Sequence, residues 1–284
     1  MSESSYLSVS TWSLHRLLGP LRWTVWNAET GAHDTHIDEQ PQLHTLLELP
    51  AVAAARGYRA IEVCHFHFPR TDAEYLTELR AAFDAAGVRF DTLLLDYGDL
   101  TTTDDRRREA DLELIRRWID IASLAGARQI RVVAGEAEPT DEAAIARSAA
   151  SLAQLAHYAA SKGVRVITEN FKPLTSTADS CLRLLKQAGK AVGMITDFGN
   201  FKGDAKYADL AAIAPRSVSV HAKAAYDDEG LPDVSEFVRC LEAVKAARFD
   251  GAYVLIYDGP GDMWEGLERI KRIVLPYVDQ AAAV

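Results

Sequence analysis

Three side chains that could bind a divalent cation each end a short run of mainly aliphatic residues. Glu169 ends the run VRVITE, Asp197 ends GMITD and His221 ends SVSVH. Two carboxylates and one imidazole form a hard-to-borderline ligand set that suits Mn²⁺, Mg²⁺, Zn²⁺ or Co²⁺ and leaves positions open for water or substrate. Each residue also has an ordinary structural explanation. Glu169 could pair with an arginine, Asp197 could cap the next turn, and His221 could be a hydrogen-bonded core residue.

The predicted strands and helices of the chain indicate where Glu169, Asp197 and His221 lie in the fold. Short runs rich in Val, Ile and Leu alternate with longer runs rich in Ala, Leu, Glu and Arg. The predicted strands span residues 6–12, 59–64, 88–95, 128–133, 164–169, 192–197, 217–221 and 252–256. The predicted helices span residues 42–56, 72–86, 105–125, 141–162, 178–188, 205–213, 234–247 and 263–278. This alternation of strand and helix predicts parallel strands, and we expect one (β/α)8 TIM barrel over residues 1–284. A doubly wound open sheet is the alternative, but no Gly-rich dinucleotide loop follows the first strand.

A barrel of this kind carries its functional site at the C-terminal ends of its strands. Glu169, Asp197 and His221 would then be neighbours on three consecutive strands. Further polar or aromatic residues lie in or just after predicted strands, and we expect them to contact a substrate: Trp12, Glu62, His65, His67 and Asn200. Glu62 could instead pair with an arginine, and Trp12 could be ordinary packing. We expect one of His65 and His67 to point away, because residues two apart share a face only while a strand stays regular.

The connection after the first strand is unusually long. Residues 13–41 show no clear helical period and contain His15, Trp23, Trp26, His33 and His36. Loops of this length in compact domains are usually functional or disordered. The indole content favours an ordered lid over the mouth of the barrel, although the same tryptophans could simply pack the loop onto the barrel.

Composition narrows the class of protein. The chain has 284 residues, a formal net charge of −10 and three cysteines. The acidic balance disfavours a nucleic-acid or anionic-membrane partner. Cys64, Cys181 and Cys240 are far apart and form no CxxC pair, which disfavours a disulfide framework. No apolar run is long enough to span a membrane and no secretory signal begins the chain, so we expect a cytoplasmic protein.

Four segments of the second half resemble the sugar phosphate isomerase/epimerase family. These segments are VITENF, ITDFGNFKG, SVHAKAAYDDEG and FDGAYVLIYDGPGDMWEGL. The family comprises the xylose isomerase-like TIM barrels of the AP endonuclease 2 superfamily, and the resemblance extends over essentially the whole chain. Members act on many sugars and polyols, so the motifs do not indicate one substrate. Asn200 stands where the nuclease relatives would have a histidine of a D-x-x-H pattern, which disfavours DNA repair.

The resemblance implies one divalent metal ion held by Glu169, Asp197 and His221. A glutamate on strand eight would be the fourth ligand and the second proton-transfer base, but Ile256 stands at that position. Three interpretations remain open. Asp258, two residues further on, reaches the metal; or three ligands and water suffice; or the metal has been lost.

We therefore expect a metal-dependent isomerase or epimerase that moves a proton next to the carbonyl of a small sugar, keto-sugar or polyol derivative. The expected catalytic residues are Glu169 as metal ligand and base, Lys223 beside the developing oxyanion, and Asp258. A sugar dehydratase or lyase on the same barrel is the alternative, as is a non-catalytic carbohydrate-binding barrel with a degraded metal site. The expected partner is a small carbohydrate, and the indoles of the long loop could also serve a homo-oligomer interface.

Overall fold

Eight parallel strands close into a barrel in the computed structural model, which describes residues 5–278. The barrel strands are β1 (Tyr6–Ser10), β4 (Ala60–Cys64), β5 (Arg89–Leu94), β6 (Gln129–Arg131), β7 (Arg165–Glu169), β8 (Gly193–Asp197), β9 (Ser217–Lys223) and β10 (Ala252–Ile256). Each of these strands pairs with the next in this order, and β10 pairs with β1 to close the ring. The prediction of a TIM barrel is confirmed.

The eight helices alternate with the barrel strands, as predicted. They are α1 (Leu49–Ala55), α2 (Ala73–Ala86), α3 (Asp105–Ala125), α4 (Glu142–Ala160), α5 (Ala178–Ala188), α6 (Lys206–Ile213), α7 (Val234–Ala246) and α8 (Met263–Val274). Aspartate side chains cap the first turns of several of them; Asp72, for example, accepts from the backbone N–H of Tyr75. Gly87 and Gly126, in the left-handed conformation, end α2 and α3. Among the described residues, no helix is both long and apolar enough to cross a membrane.

Two helix boundaries differ from the prediction for a local reason. The helix predicted over residues 42–56 begins only at Leu49, because Pro50 favours a helix start and Thr45 and Glu48 form a separate hydrogen-bonded turn before it. The last helix ends at Val274 rather than at residue 278. The chain there tightens into a 3₁₀ turn that contains Pro276, which cannot continue the hydrogen-bond ladder.

The long segment after β1 is ordered, and it is not the irregular loop that the absence of helical period suggested. It contains an antiparallel hairpin of β2 (Leu21–Asn27) and β3 (Ala32–Asp38), with Trp23 opposite His36 and Trp26 opposite His33. The side chain of Asn27 accepts from the backbone N–H groups of Glu29 and Thr30, which stabilises the turn. The polar residues of β3 masked the strand pattern, since both of its faces carry charged or hydrogen-bonding side chains.

One buried carboxylate ties the hairpin to the barrel. Asp111 of α3 is fully buried and accepts a hydrogen bond at 2.9 Å from Tyr97. Its side chain also lies 2.9 Å from Nε2 of His33 on β3, and it accepts from the backbone N–H of Asp99 at 3.1 Å. Asp111 therefore joins the hairpin, the loop after β5 and α3 at one point. A buried carboxylate is stable only with such a full set of donors.

Replacing Asp111 by alanine is expected to destabilise the protein by about 3 kcal/mol, because one buried and two partly buried donors lose their acceptor. Chemical denaturation measures the effect. Glu113→Ala, on the exposed face of the same helix, is the matched control and should change stability by less than about 0.5 kcal/mol. Equal unfolding midpoints for the two variants would contradict the role assigned to Asp111.

Candidate metal centre and substrate cavity

The structure brings Glu169, Asp197 and His221 together at the C-terminal ends of β7, β8 and β9. Nδ1 of His221 lies 3.2 Å from Oε1 of Glu169 and 3.4 Å from Oδ2 of Asp197. One ligand atom from each residue lies within 4.8 Å of the others, and all three residues are buried. The parallel register pairs Asp197 directly with His221, so adjacent strands present both side chains at the same height. This arrangement has the spacing of a candidate metal site.

The other side of the His221 ring contacts a second carboxylate. Nε2 of His221 lies 2.7 Å from Oε2 of Glu62 on β4, inside the barrel. Burial lowers the pKa of His221, but Glu169 and Glu62 raise it, and the net shift is well above the ordinary value. The barrel interior at this level therefore stabilises positive charge.

Arg131 on β6 supports Glu169 from the side. Its Nε lies 3.1 Å from Oε2 of Glu169, and its guanidinium also forms an ion pair with Asp96. Burial lowers the pKa of Arg131, but Asp96 and Glu169 more than offset this and raise it above the usual value. Glu169 therefore has the arginine partner that the sequence suggested as a structural explanation, and it is also a member of the cluster.

These residues fit a divalent cation. The cluster offers two carboxylates and one imidazole nitrogen, which is the ligand set expected for Mn²⁺, Mg²⁺, Zn²⁺ or Co²⁺. Oε2 of Glu169 is buried and has no hydrogen-bond partner apart from its charge contact with Arg131. A buried oxygen of this kind gains a partner when a cation binds. Asp258 is not a member of the cluster.

A cavity of about 300 Å³ opens directly above the cluster. Its lining includes ionisable side chains, namely those of the cluster together with Arg131 and Lys172. It also includes the aromatic or aliphatic side chains of Trp12, Trp23 and Ile256. Trp23 comes from the β2–β3 hairpin, and its ring lies 4.2 Å from that of Phe66. The hairpin therefore contributes a wall of the cavity, in agreement with the expectation of an ordered lid at the barrel mouth.

Lys223 and Asp258 form an ion pair at the edge of this cavity. Nζ of Lys223 lies 2.7 Å from Oδ2 of Asp258, and both side chains are about one-third exposed. Ile256 is paired in register with Lys223 on the neighbouring strand. Asp258 is therefore engaged with Lys223, and it lies outside the cluster of Glu169, Asp197 and His221.

The remaining predicted substrate contacts divide into two groups. Trp12 and Asn200 line the cavity, whereas Glu62, His65 and His67 do not. His65 lies near Thr24 of the hairpin, and His67 lies 2.9 Å from Thr11. Burial lowers the pKa of His65 to about 4 and that of His67 to about 3. Both imidazoles are therefore neutral near pH 7 and pack between the barrel and its first connection.

Sequence reasoning did not single out Arg131, although it lines the cavity. The available signal was the run QIRVV, in which one arginine interrupts an otherwise apolar strand. A lone charge in a strand buried on both faces requires a partner inside the barrel.

Residues 50–273 match the family of xylose isomerase-like TIM barrels. The chain belongs to this family, as the resemblance of its second half predicted. No curated protein matches the chain.

Solved structures show the same fold at low identity. The D-allulose 3-epimerase from Methylomonas sp. is 16% identical, with a TM-score of 0.69 over 97% of this chain and 98% of that one. The probable 3-DHS dehydratase from Bacillus anthracis is 15% identical, with a TM-score of 0.68 over 95% and 98%. The 3-keto-D-glucoside 4-epimerase from E. coli is 19% identical, with a TM-score of 0.62 over 81% and 94%. One fold thus carries epimerases and a probable dehydratase.

Replacing Asp197 by asparagine is expected to abolish divalent-metal binding at the candidate site, because the amide removes one of the two anionic groups of the cluster. Elemental analysis of protein purified without chelator measures the metal content. Asp258→Asn is the matched control and should retain about one equivalent, since Asp258 is held by Lys223. Loss of metal in the control as well would show that Asp258 is a ligand.

Proposed function

We propose that the protein is a metal-dependent isomerase or epimerase that transfers a proton next to the carbonyl group of a small sugar, keto-sugar or polyol derivative. The observation that carries this proposal is the buried cluster of Glu169, Asp197 and His221 at the floor of an open cavity. The epimerase activities named for the similar structures from Methylomonas sp. and E. coli support it.

The cavity fits the proposed class of substrate in size and lining. About 300 Å³ is at the lower end of the range for small-molecule sites, which suits a monosaccharide or a molecule of similar size. Trp12 and Trp23 offer apolar surfaces for the carbon skeleton. Asn200, Lys172 and Asp96 offer hydrogen bonds to hydroxyl groups.

The proposed reaction assigns a role to each group of the site. Glu169, Asp197 and His221 would hold a divalent cation, which would supply a Lewis acid for the substrate carbonyl. Glu169 accepts the proton from the carbon next to that carbonyl, and Arg131 holds its carboxylate in position. Lys223 places its Nζ, with an N–H to donate, at the edge of the cavity, where negative charge develops on the substrate oxygen.

A sugar dehydratase or lyase is the second candidate, and Ile256 is the observation that favours it. The aliphatic side chain lines the cavity at the position of the family's second base, so it cannot move a proton. An elimination needs one base and an acid for the departing hydroxyl group, and Glu169 with Lys223 or Asp258 could supply them. The probable dehydratase activity named for the similar Bacillus anthracis structure supports this alternative.

The two candidates share a first step, which hydrogen exchange can detect. We expect the metal-loaded protein to incorporate deuterium from D₂O into one or more members of a panel of ketoses, keto-sugars and sugar acids, measured by proton NMR. Glu169→Gln should abolish the exchange. Glu113→Gln, a change at an exposed glutamate of α3 that pairs with Arg116, should preserve it.

The products then separate the candidates. A rearranged or epimeric sugar supports the isomerase or epimerase, and an unsaturated or dehydrated keto product supports the dehydratase. Metal binding with tight sugar binding, but with no exchange into any bound sugar, would refute both and leave a carbohydrate-binding barrel.

A further inference from the structure

We propose that Glu62 is a positioning residue that holds the His221 ring with Nδ1 facing Glu169 and Asp197. The inference rests on the proposed metal centre for its functional meaning, but the orientation of His221 can be tested without a metal. It differs from the substrate contact that the sequence predicted for Glu62.

The two nitrogens of His221 face different partners. Nε2 lies 2.7 Å from Oε2 of Glu62, whereas Nδ1 lies 3.2 Å from Glu169 and 3.4 Å from Asp197. An ionised carboxylate can only accept a hydrogen bond, so Nε2 carries a hydrogen and donates it to Glu62. Without a metal, Nδ1 also directs a hydrogen at Glu169 and Asp197. A cation at the cluster would displace that hydrogen and take the Nδ1 lone pair, while Nε2 keeps its bond to Glu62.

Glu62 is itself held in place by two other strands. Its Oε1 accepts from the hydroxyl of Thr92 on β5 at 3.0 Å and from that of Ser219 on β9 at 3.4 Å. The residue is 1% exposed and does not line the cavity. Glu62 is therefore not accessible to a substrate, and both of its carboxylate oxygens have hydrogen-bond partners inside the barrel.

The consequence for a metal site follows from general coordination chemistry. A carboxylate that accepts from the far nitrogen of a ligating histidine fixes the tautomer and the ring orientation, and it makes the near nitrogen a stronger donor. Loss of such a partner typically lowers metal affinity about 10- to 100-fold. Glu62 would act in this way on His221, through a bond inside the barrel rather than through contact with the reacting atoms.

Two measurements on Glu62→Gln and Glu62→Ala test the inference. Affinity for Co²⁺ or Zn²⁺ is measured by competition with a chelator, and we expect both variants to bind about 10- to 100-fold more weakly than the parent protein. Proton–nitrogen NMR of histidine-labelled, metal-free protein reports the buried Nε2–H of His221. We expect its resonance to be protected from exchange in the parent, shifted in Glu62→Gln and lost in Glu62→Ala.

Asp99→Asn is the matched control. Asp99 is also a buried carboxylate, but it accepts from Thr101 and from the backbone N–H of Glu136 rather than from His221. This variant controls for the general cost of removing a buried charge, and it should leave both readouts unchanged. Circular dichroism spectra confirm that each variant is folded.

The outcomes separate this inference from the proposed function. Parent-like metal affinity in both Glu62 variants overturns the inference and leaves the metal centre intact. A parent protein that binds no divalent metal overturns the proposed function, and the Nε2–H resonance alone then decides whether Glu62 orients His221. A resonance that is unchanged in Glu62→Ala overturns the inference in either case.

Discussion

The structure around the site depends on the compensation of several buried carboxylates inside the barrel. Glu62, Glu169 and Asp197 surround one imidazole, and all are buried. Carboxylates removed from water are stable only when cations or hydrogen-bond donors surround them. His221 lies between the three carboxylates and Arg131 flanks Glu169, so the charged groups of five barrel strands depend on one another. A divalent cation would add the positive charge that this arrangement favours.

The strand register of the barrel positions the charged side chains that compensate one another. Parallel strands in register place Asp197 beside His221, and the inward-facing residues of strands on opposite sides approach each other across the interior. That crossing allows Glu62 of β4 to reach His221 of β9, although the two residues are 159 positions apart in the chain. The side chain of Asn170 adds a link, since it bonds to both the backbone N–H and the carbonyl of Asp197. Each member of the cluster is thus held by the barrel as well as by its neighbours.

Prediction from the sequence succeeded where a local pattern determines the structure. The alternation of aliphatic strands and helices identified the barrel, and the residues ending three successive strands identified the cluster. It failed for the β2–β3 hairpin, because a strand such as AHDTHID has two polar faces and no buried side to create an alternation. The hydrogen bond between Glu62 and His221 could not be predicted from the sequence either, because it depends on which strands face each other across the closed barrel. The isolated glutamate in the buried run AIEVC signalled that some interior partner existed, but not its identity.

The cavity combines an apolar surface from β10 with a charged cluster from β7, β8 and β9. The inward residues Ala252, Val254 and Ile256 of β10 form an apolar cluster that packs against Trp12. The charged residues of the cluster come instead from β7, β8 and β9. Lys223 and Asp258, which also line this cavity, form an ion pair with each other. In the proposed reaction, Ile256 offers no second base, so the Lys223–Asp258 pair is the candidate to donate or accept the second proton. That pair would then decide between inversion, rearrangement and loss of water.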